Sequence, residues 1–321
     1  MTAGPRPDIA VAVSTYQRPD RLARLVEGLE RQTLGSDRFE VVIVDNGSAD
    51  DTFEVLEKLA AGTELDLRPL RREENRGPAA ARNAAWGATS APFVAFTDDD
   101  CVPDPEWLEA GLRTLRRHSA MGVVQGRTMI PVLTSPPPNT DWLVWRDIRQ
   151  LTPWFEGCNL FFRREALEAV GGFDESIGWY GEETALGWGV LAAGWDRIYE
   201  DAAVIRHDVT QRPLRLHLRD RYLEGNMVGI AKRYPALRQE GFWRPWAMHR
   251  QNALFAVGVA GLALGLWRRP ALLLAAPYLI TRRPRWGHHR YLRLTGEHVL
   301  VDAAAFAGML RASIRERTFV L

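Results

Sequence analysis

Two cysteines, Cys101 and Cys158, are all that the 321 residues contain, too few for a disulfide framework, and a reducing cytoplasm is the expectation that follows. The opening Met1 to Asp8 lacks the basic and apolar regions of a secretory signal, which agrees with that expectation. No apolar run reaches the roughly 20 residues that a single transmembrane helix requires. Asn252 to Trp267 is uncharged, Arg268 and Arg269 interrupt, and Pro270 to Thr281 is apolar again. No glycine-rich, lysine-bearing phosphate loop follows the first strand-like run, which argues against a nucleotidyltransferase. Repeats are absent, and with 46% apolar residues disorder is not the default.

What is present is divided unevenly. Net charge is +1, yet residues 1 to 200 carry 21 basic and 32 acidic side chains, leaving 20 basic and 8 acidic for the remainder. The split suggests a carboxylate-bearing catalytic half and a basic half that meets anionic lipid, phosphate or nucleic acid, of which nucleic acid is not the expected partner. The domains drawn from it are 1–210 and 211–321, the second a basic helical region with an apolar hairpin over 252–281.

Short β-branched runs alternate with helix-like segments in the first domain, the pattern of an α/β fold. Ile9 to Val13, Val41 to Val44, Asp66 to Leu70 and Phe93 to Thr97 read as strands. Leu22, Leu25, Val26 and Leu29 keep helical spacing behind Pro19, and Phe53 to Leu59 form a second helix. Gly77 and Pro78 open a third, and Leu108, Leu112 and Leu115 mark a fourth. Gly157 to Arg163 reads as a further strand and Glu182 to Ala193 as a helix closed by Gly194. The proline-rich Pro131 to Pro138 reads as a long loop, a lid or acceptor loop.

Asp98, Asp99 and Asp100 end the buried run Phe93 to Phe96, so three carboxylates crowd the exit of one strand. Like charges this close repel unless a counter-charge holds them, and a hard divalent ion with oxygen ligands is the economical solution. Polar residues also follow the first two strands: Ser14, Thr15 and Tyr16, then Asp45, Asn46 and Ser48. In an open α/β sheet ligands bind outside these ends, although each group alone is equally turn chemistry.

Taken together, Val13-Ser14-Thr15-Tyr16-Gln17-Arg18, Val44-Asp45-Asn46-Gly47-Ser48, Asn75 to Asn83 and Phe96-Thr97-Asp98-Asp99-Asp100 are followed by Gly157-Cys158-Asn159-Leu160, Gly172-Phe173-Asp174 and Gly181-Glu182-Glu183. In that order and spacing the chain resembles the family-two inverting glycosyltransferases over roughly residues 8 to 208. The resemblance implies a GT-A fold, Rossmann-like with a mostly parallel sheet. It also implies a nucleotide-diphospho-sugar donor, a Mn2+ or Mg2+ ion, and a glycan or lipid-linked hydroxyl acceptor.

By the same resemblance Ser14, Thr15, Tyr16, Asp45, Arg82, Asp98 and Asp99 belong to the donor site, with Asp99 turned away from the metal. Asp100, Asp98 and His207 would hold the ion. Glu183, or Glu182 beside it, would take the acceptor's proton, with helix capping as the competing explanation. The family usually has aspartate at the place of Glu183, and its later acidic residue and arginine are here Ala185 and Gly189. That departure keeps open a catalytically silent nucleotide-sugar-binding or scaffold protein. His207, between Arg206 and Asp208, reads as a ligand or as a surface residue. Trp179 and Tyr180 suit stacking on an acceptor as well as core packing, and Asn159 joins them as an acceptor contact. The arginines and tryptophans that flank 252–281 suit a peripheral contact at the inner face of the cell membrane. A buried hairpin of a soluble or dimeric core is the alternative.

Overall fold

A computed structural model describes residues 6–131, 142–282 and 291–321, the last segment with its side chains from 296 onward. The proline-rich segment beyond Pro131, and Arg283, Arg285, Trp286 and Arg290, lie outside the described residues. The chain divides into two compact units, Met1–Thr210 and Gln211–Leu321.

The first unit is built on an eight-stranded sheet. β1 (Ile9–Thr15), β2 (Phe39–Asp45), β3 (Asp66–Arg71) and β4 (Phe93–Asp98) run parallel in the order β3-β2-β1-β4. α1 (Pro19–Glu30), α2 (Thr52–Gly62) and α3 (Pro78–Gly87) are their crossovers. Every residue of β2 is buried, as a strand covered on both faces requires, which is why it reads as an unbroken apolar run. Gly77 precedes α3 with φ of +88°, a conformation that costs a side-chain-bearing residue strain.

The chain moves outward from β1 to β3 and then returns to β4 on the other side of β1. Strand order reverses between β1 and β4, so a crevice opens there at their carboxyl ends, with Ser14 in register with Asp98.

The remainder of the sheet is mixed. β5 (Cys101–Pro103), α4 (Trp107–Arg117), β6 (Met121–Met129), the two-residue β7 (Leu143–Val144), β8 (Asn159–Arg163), α5 (Arg164–Val170), α6 (Glu182–Ala192) and β9 (Asp196–His207) follow. β8 lies antiparallel between β4 and β6, which places Asn159 beside Thr97. β6 and β9 are parallel, but Gly126 pairs Glu200 while Arg127 pairs Val204, so residues 201–203 bulge out of the ladder. Beyond the bulge Ala203, Ile205 and His207 are buried in strict alternation, and β5 pairs Cys101 with His207.

The second unit is helical. It comprises α7 (Leu214–Leu223), α8 (Asn226–Arg233), α9 (Ala236–Glu240), α10 (Arg250–Gly265), a 3-10 segment over Arg269–Ala275, α11 (Ala276–Thr281) and α12 (Tyr291–Glu316). α8 buries Met227, Val228, Ile230 and Ala231, whereas α7 has no buried residue and pairs Arg221 with Glu224. α10 packs on the 3-10 segment through Gly258, Gly261 and Gly265; a Cβ on Gly261 would lie 2.6 Å from Leu274 Cβ. Buried Asp302 anchors the return arm, accepting from Tyr278 Oη at 2.8 Å and Arg282 Nε at 2.7 Å. Among the described residues no helix is long and apolar enough to cross a membrane.

Candidate functional site

The four parallel strands deliver their polar ends to one rim. Asp45, at the end of β2, is fully buried; its Oδ1 accepts from Ser48 N at 3.1 Å and from the Ser48 hydroxyl. Its Oδ2 has no hydrogen-bond partner among the described residues, and Arg71 Nε stands 3.8 Å away. A buried acceptor without a donor is costly, so this oxygen is suited to receive an N–H from a ligand. Tyr16 is 37% exposed at the mouth and Ser14 is half-buried. Thr15, placed with the donor residues on sequence, is buried and donates its hydroxyl to Asp99 Oδ2 at 2.8 Å.

The counter-charge for the aspartates is supplied by the protein itself. Arg18 Nη1 lies 2.8 Å from Asp99 Oδ1, and Arg21 Nη1 lies 2.8 Å from Asp100 Oδ2. Arg82 Nη2 lies 2.8 Å from Asp98 Oδ1. Charge repulsion therefore does not by itself require a metal, which corrects the electrostatic argument made from sequence. Burial pushes the Asp98 carboxyl up, but the Arg82 guanidinium beside it overrides this and holds it below its ordinary range. For Asp99 burial wins over Arg18 and the carboxyl is raised.

Asp100, Cys101 and His207 present one ligand atom each within 4.8 Å of one another. His207 Nδ1 sits 2.7 Å from the Asp208 carbonyl, an arrangement that gives Nδ1 the proton and leaves the Nε2 lone pair facing Asp100 Oδ1 at 3.6 Å. That tautomer and that carboxylate suit a hard divalent ion. Burial, with a hydrogen bond to Cys158, pushes the Cys101 thiol well up, and a soft sulfur suits a hard ion less than a carboxylate does. Asp98 lies outside this trio and is held by Arg82.

The same arginine reaches the first turn of α6. Arg82 Nη1 donates to Glu182 Oε1 at 2.9 Å, and the carboxylates of Asp98, Glu183 and Glu182 hold its charge against burial. Burial and the adjacent Glu183 charge push Glu182 up to about 8 in spite of Arg82. Glu182 is buried and tethered, whereas Glu183 is half-exposed beside Gly157, where a Cβ would come within 2.7 Å of Glu183 Cγ. Trp179 is 41% exposed, and Tyr180 adopts φ of +76°, strain concentrated directly before the paired glutamates.

Asn159 does not line the rim. It is fully buried; Oδ1 accepts from Trp107 Nε1 at 2.9 Å, while Nδ2 donates to the carbonyls of Arg127 at 2.8 Å and Ala203 at 2.9 Å. The expected acceptor contact is instead the plug of the β6–β9 bulge.

Four residues were missed on sequence: Arg18, Arg21, Arg71 and Gly157. A signal existed for the first two. Arg18, Arg21 and Arg24 recur every third residue at the start of α1, and Arg24 completes the set by a two-pronged pair with Asp208 at 2.8 and 3.0 Å.

With this geometry in hand, the chain was compared with known proteins. The model of glycosyl transferase family 2 matches residues 10–171, and that of glycosyl transferase family group 2 matches residues 93–282. The chain belongs to glycosyl transferase family 2. Among curated relatives of this family member, the pre-mycofactocin glycosyltransferase of Mycobacterium tuberculosis is 28% identical over 255 residues, 73% of the chain and 51% of the relative. The chain thus spans about half the length of that relative.

Among solved structures, the mannosyltransferase PcManGT from Pyrobaculum calidifontis, in complex with GDP-Man and Mn2+, superposes with a TM-score of 0.61 at 21% identity, covering 98% of this chain and 88% of its own. Staphylococcus aureus TarS 1-349 in complex with UDP-GlcNAc gives 0.53 at 16% identity, covering 97% and 92%. These likenesses establish the family-2 chain as a GT-A fold, as the motif order implied. In α6 the departures at Ala185 and Gly189 are both buried, so the accessible acid of that helix's first turn is Glu183.

Proposed function

We propose that this family member transfers a sugar from a nucleotide-diphosphate donor to a hydroxyl of a glycan or lipid-linked acceptor, with inversion at the anomeric carbon. The observation that carries the reading is the path Asp98–Arg82–Glu182, which links the turn bearing the accessible Glu183 carboxylate to the end of β4, just ahead of Asp100. The relatives support the donor class, since solved neighbours hold GDP-Man with Mn2+ and UDP-GlcNAc.

Asp45 Oδ2 and the Tyr16 ring would receive the base, one as acceptor of an imino hydrogen and the other as a stacking face. Ser14 and Asp98 would meet the ribose at the switch point, and Arg82 keeps Asp98 ionised. A Mn2+ or Mg2+ ion held by Asp100 and His207 would neutralise charge on the departing diphosphate. Glu183 takes the proton of the acceptor hydroxyl as that oxygen bonds to the anomeric carbon and the bond to the diphosphate breaks. Glu182, buried and bound to Arg82, orients that cation rather than serving as base. Trp179 and Tyr180 would contact the acceptor.

The test is binding and turnover read separately. Nucleotide sugars should raise the melting temperature in a Mn2+-dependent way that Asp100→Ala abolishes. Glu183→Gln should keep donor binding and lose transfer by about 10²- to 10⁴-fold. Undiminished transfer in Glu183→Gln refutes the assignment. Tight donor binding without turnover across glycan and lipid-linked acceptors favours the silent binder, the reading that Ala185 and Gly189 support.

A further inference from the structure

One surface has no part in the site. In the second unit the hairpin of α10, the 3-10 segment and α11 leaves its large apolar side chains in the open: Leu266 is 82% exposed, Trp267 77%, Leu273 75% and Ile280 70%. Their neighbours Leu262 and Leu279 are more than half exposed. Contiguous apolar exposure on this scale marks a docking surface rather than the scattered exposure normal for a soluble protein. The two arms face each other through the glycines of α10, so the leucines and the isoleucine are turned outward instead of into the hairpin.

We infer that this hairpin is a monotopic anchor that lies in the headgroup zone of an anionic lipid leaflet, with its apolar flanks in the outer acyl region. Charge selects the occupant. Between Glu240 and Glu297 there is no acidic residue, while nine arginines fall in that interval. A second copy of the chain docked on this face would bring the exposed Arg250, Arg268 and Arg269 against like charges, whereas an anionic lipid surface complements them.

Length selects the depth. The 16 residues of α10 extend about 24 Å, short of a hydrocarbon core of roughly 30 Å. Arg268 and Arg269 stand at the turn of the hairpin and exposed Arg250 at its base, Arg282 being paired with buried Asp302, so basic side chains still occupy both ends. An element with both ends basic lies along the interface with its arginines reaching the phosphates, rather than inserting tip first. Trp267 at the turn, and the edge-to-face pair Trp243–Trp246 with Arg244 over the Trp243 ring, are the amphipathic aromatics of such a zone.

The experiment uses the full chain without donor or metal, so its failure leaves the transferase reading untouched. Flotation is measured with vesicles of phosphatidylcholine alone and of phosphatidylcholine with phosphatidylglycerol. The expected result is at least about tenfold stronger partitioning onto the anionic vesicles, weakened by high salt, with a blue shift of tryptophan emission that Trp267→Phe reduces. Leu273→Glu with Ile280→Glu, both solvent-facing and so without a folding cost, should cut the partitioning at least about tenfold. Circular dichroism confirms that the variant is folded. No partitioning onto anionic vesicles, or partitioning unchanged in the folded double variant, overturns the inference. So does a dimer that the double variant dissolves while vesicles bind neither protein, because the face would then belong to a second copy.

Discussion

Asn159→Leu keeps the branched heavy-atom skeleton of the side chain and removes every polar atom from it. Three buried groups lose a partner at once: the Trp107 indole N–H and the carbonyls of Arg127 and Ala203. An orphaned buried group costs about 1–3 kcal/mol, so the loss of three partners is expected to remove at least about 3 kcal/mol of stability. Against a total of about 5–15 kcal/mol this is a large fraction. Urea denaturation followed by far-ultraviolet circular dichroism should show the midpoint falling by about 1–2 M with little change in slope. A loss under about 1 kcal/mol would refute the plug. An increase in acceptor KM at unchanged stability would return Asn159 to the acceptor site.

Glu182 binds a proton in the folded protein up to about pH 8, whereas the unfolded chain releases it near 4.5. The folded state holds the additional proton in that window, so stability falls as pH rises through it, by at most about 1.4 kcal/mol per pH unit. Glu182→Gln should flatten this slope between pH 5 and 8, and an unchanged slope in denaturation curves would count against the proton assignment. In Gly157→Ala the new methyl meets Glu183 Cγ at 2.7 Å and Arg82 Nη2 at 3.2 Å, so turnover should drop at least about tenfold. Steady-state rates that match the wild type would separate Glu183 from the chemistry. Arg21→Gln removes the cation 2.8 Å from Asp100 Oδ2 and should tighten Mn2+ binding to the donor-free protein by about tenfold in a paramagnetic-resonance titration. Weaker binding would mean that Arg21 instead orients the carboxylate.

In the parallel half of the sheet β1, β2 and β4 were legible because they are short, apolar and buried on both faces, whereas edge strand β3 is half-exposed and offers a weaker signal. Val41 to Val44 could hardly read otherwise. β6 and β9 were not legible as full strands, for a physical reason. The run from Met121 to Met129 carries two glycines with Gln125, Arg127 and Thr128, and half of β9 is polar and half-exposed, so neither shows a clean period. Only Ala202 to Ile205 stood out, the part just past the start of the bulge.

At the site, Asp98 to Asp100 announced themselves by position, but their partners did not. An arginine in a helical first turn reads as solvated face unless the fold brings an acid to it, and here the acids come from about 80 residues away. Asn159 was read as an acceptor contact within the Gly157-Cys158-Asn159-Leu160 motif, whereas a bulge between two other strands had created a demand for a buried amide. The apolar stretch 252–281 was correctly seen as too short to span a bilayer; the glycine contacts that fold it on itself depend on pairings no single helix displays.

The slip between Gly126 and Arg127 also fixes a parity. Side chains alternate along β9, so the register resumed after residues 201–203, with Arg127 opposite Val204 and Met129 opposite Arg206, determines that His207 rather than Arg206 or Asp208 turns inward to face Asp100. A one-residue slip of that register would present a guanidinium or a carboxylate in place of the imidazole. The direction in which that imidazole faces is thereby written in the register after a kink as much as in the identity of a histidine.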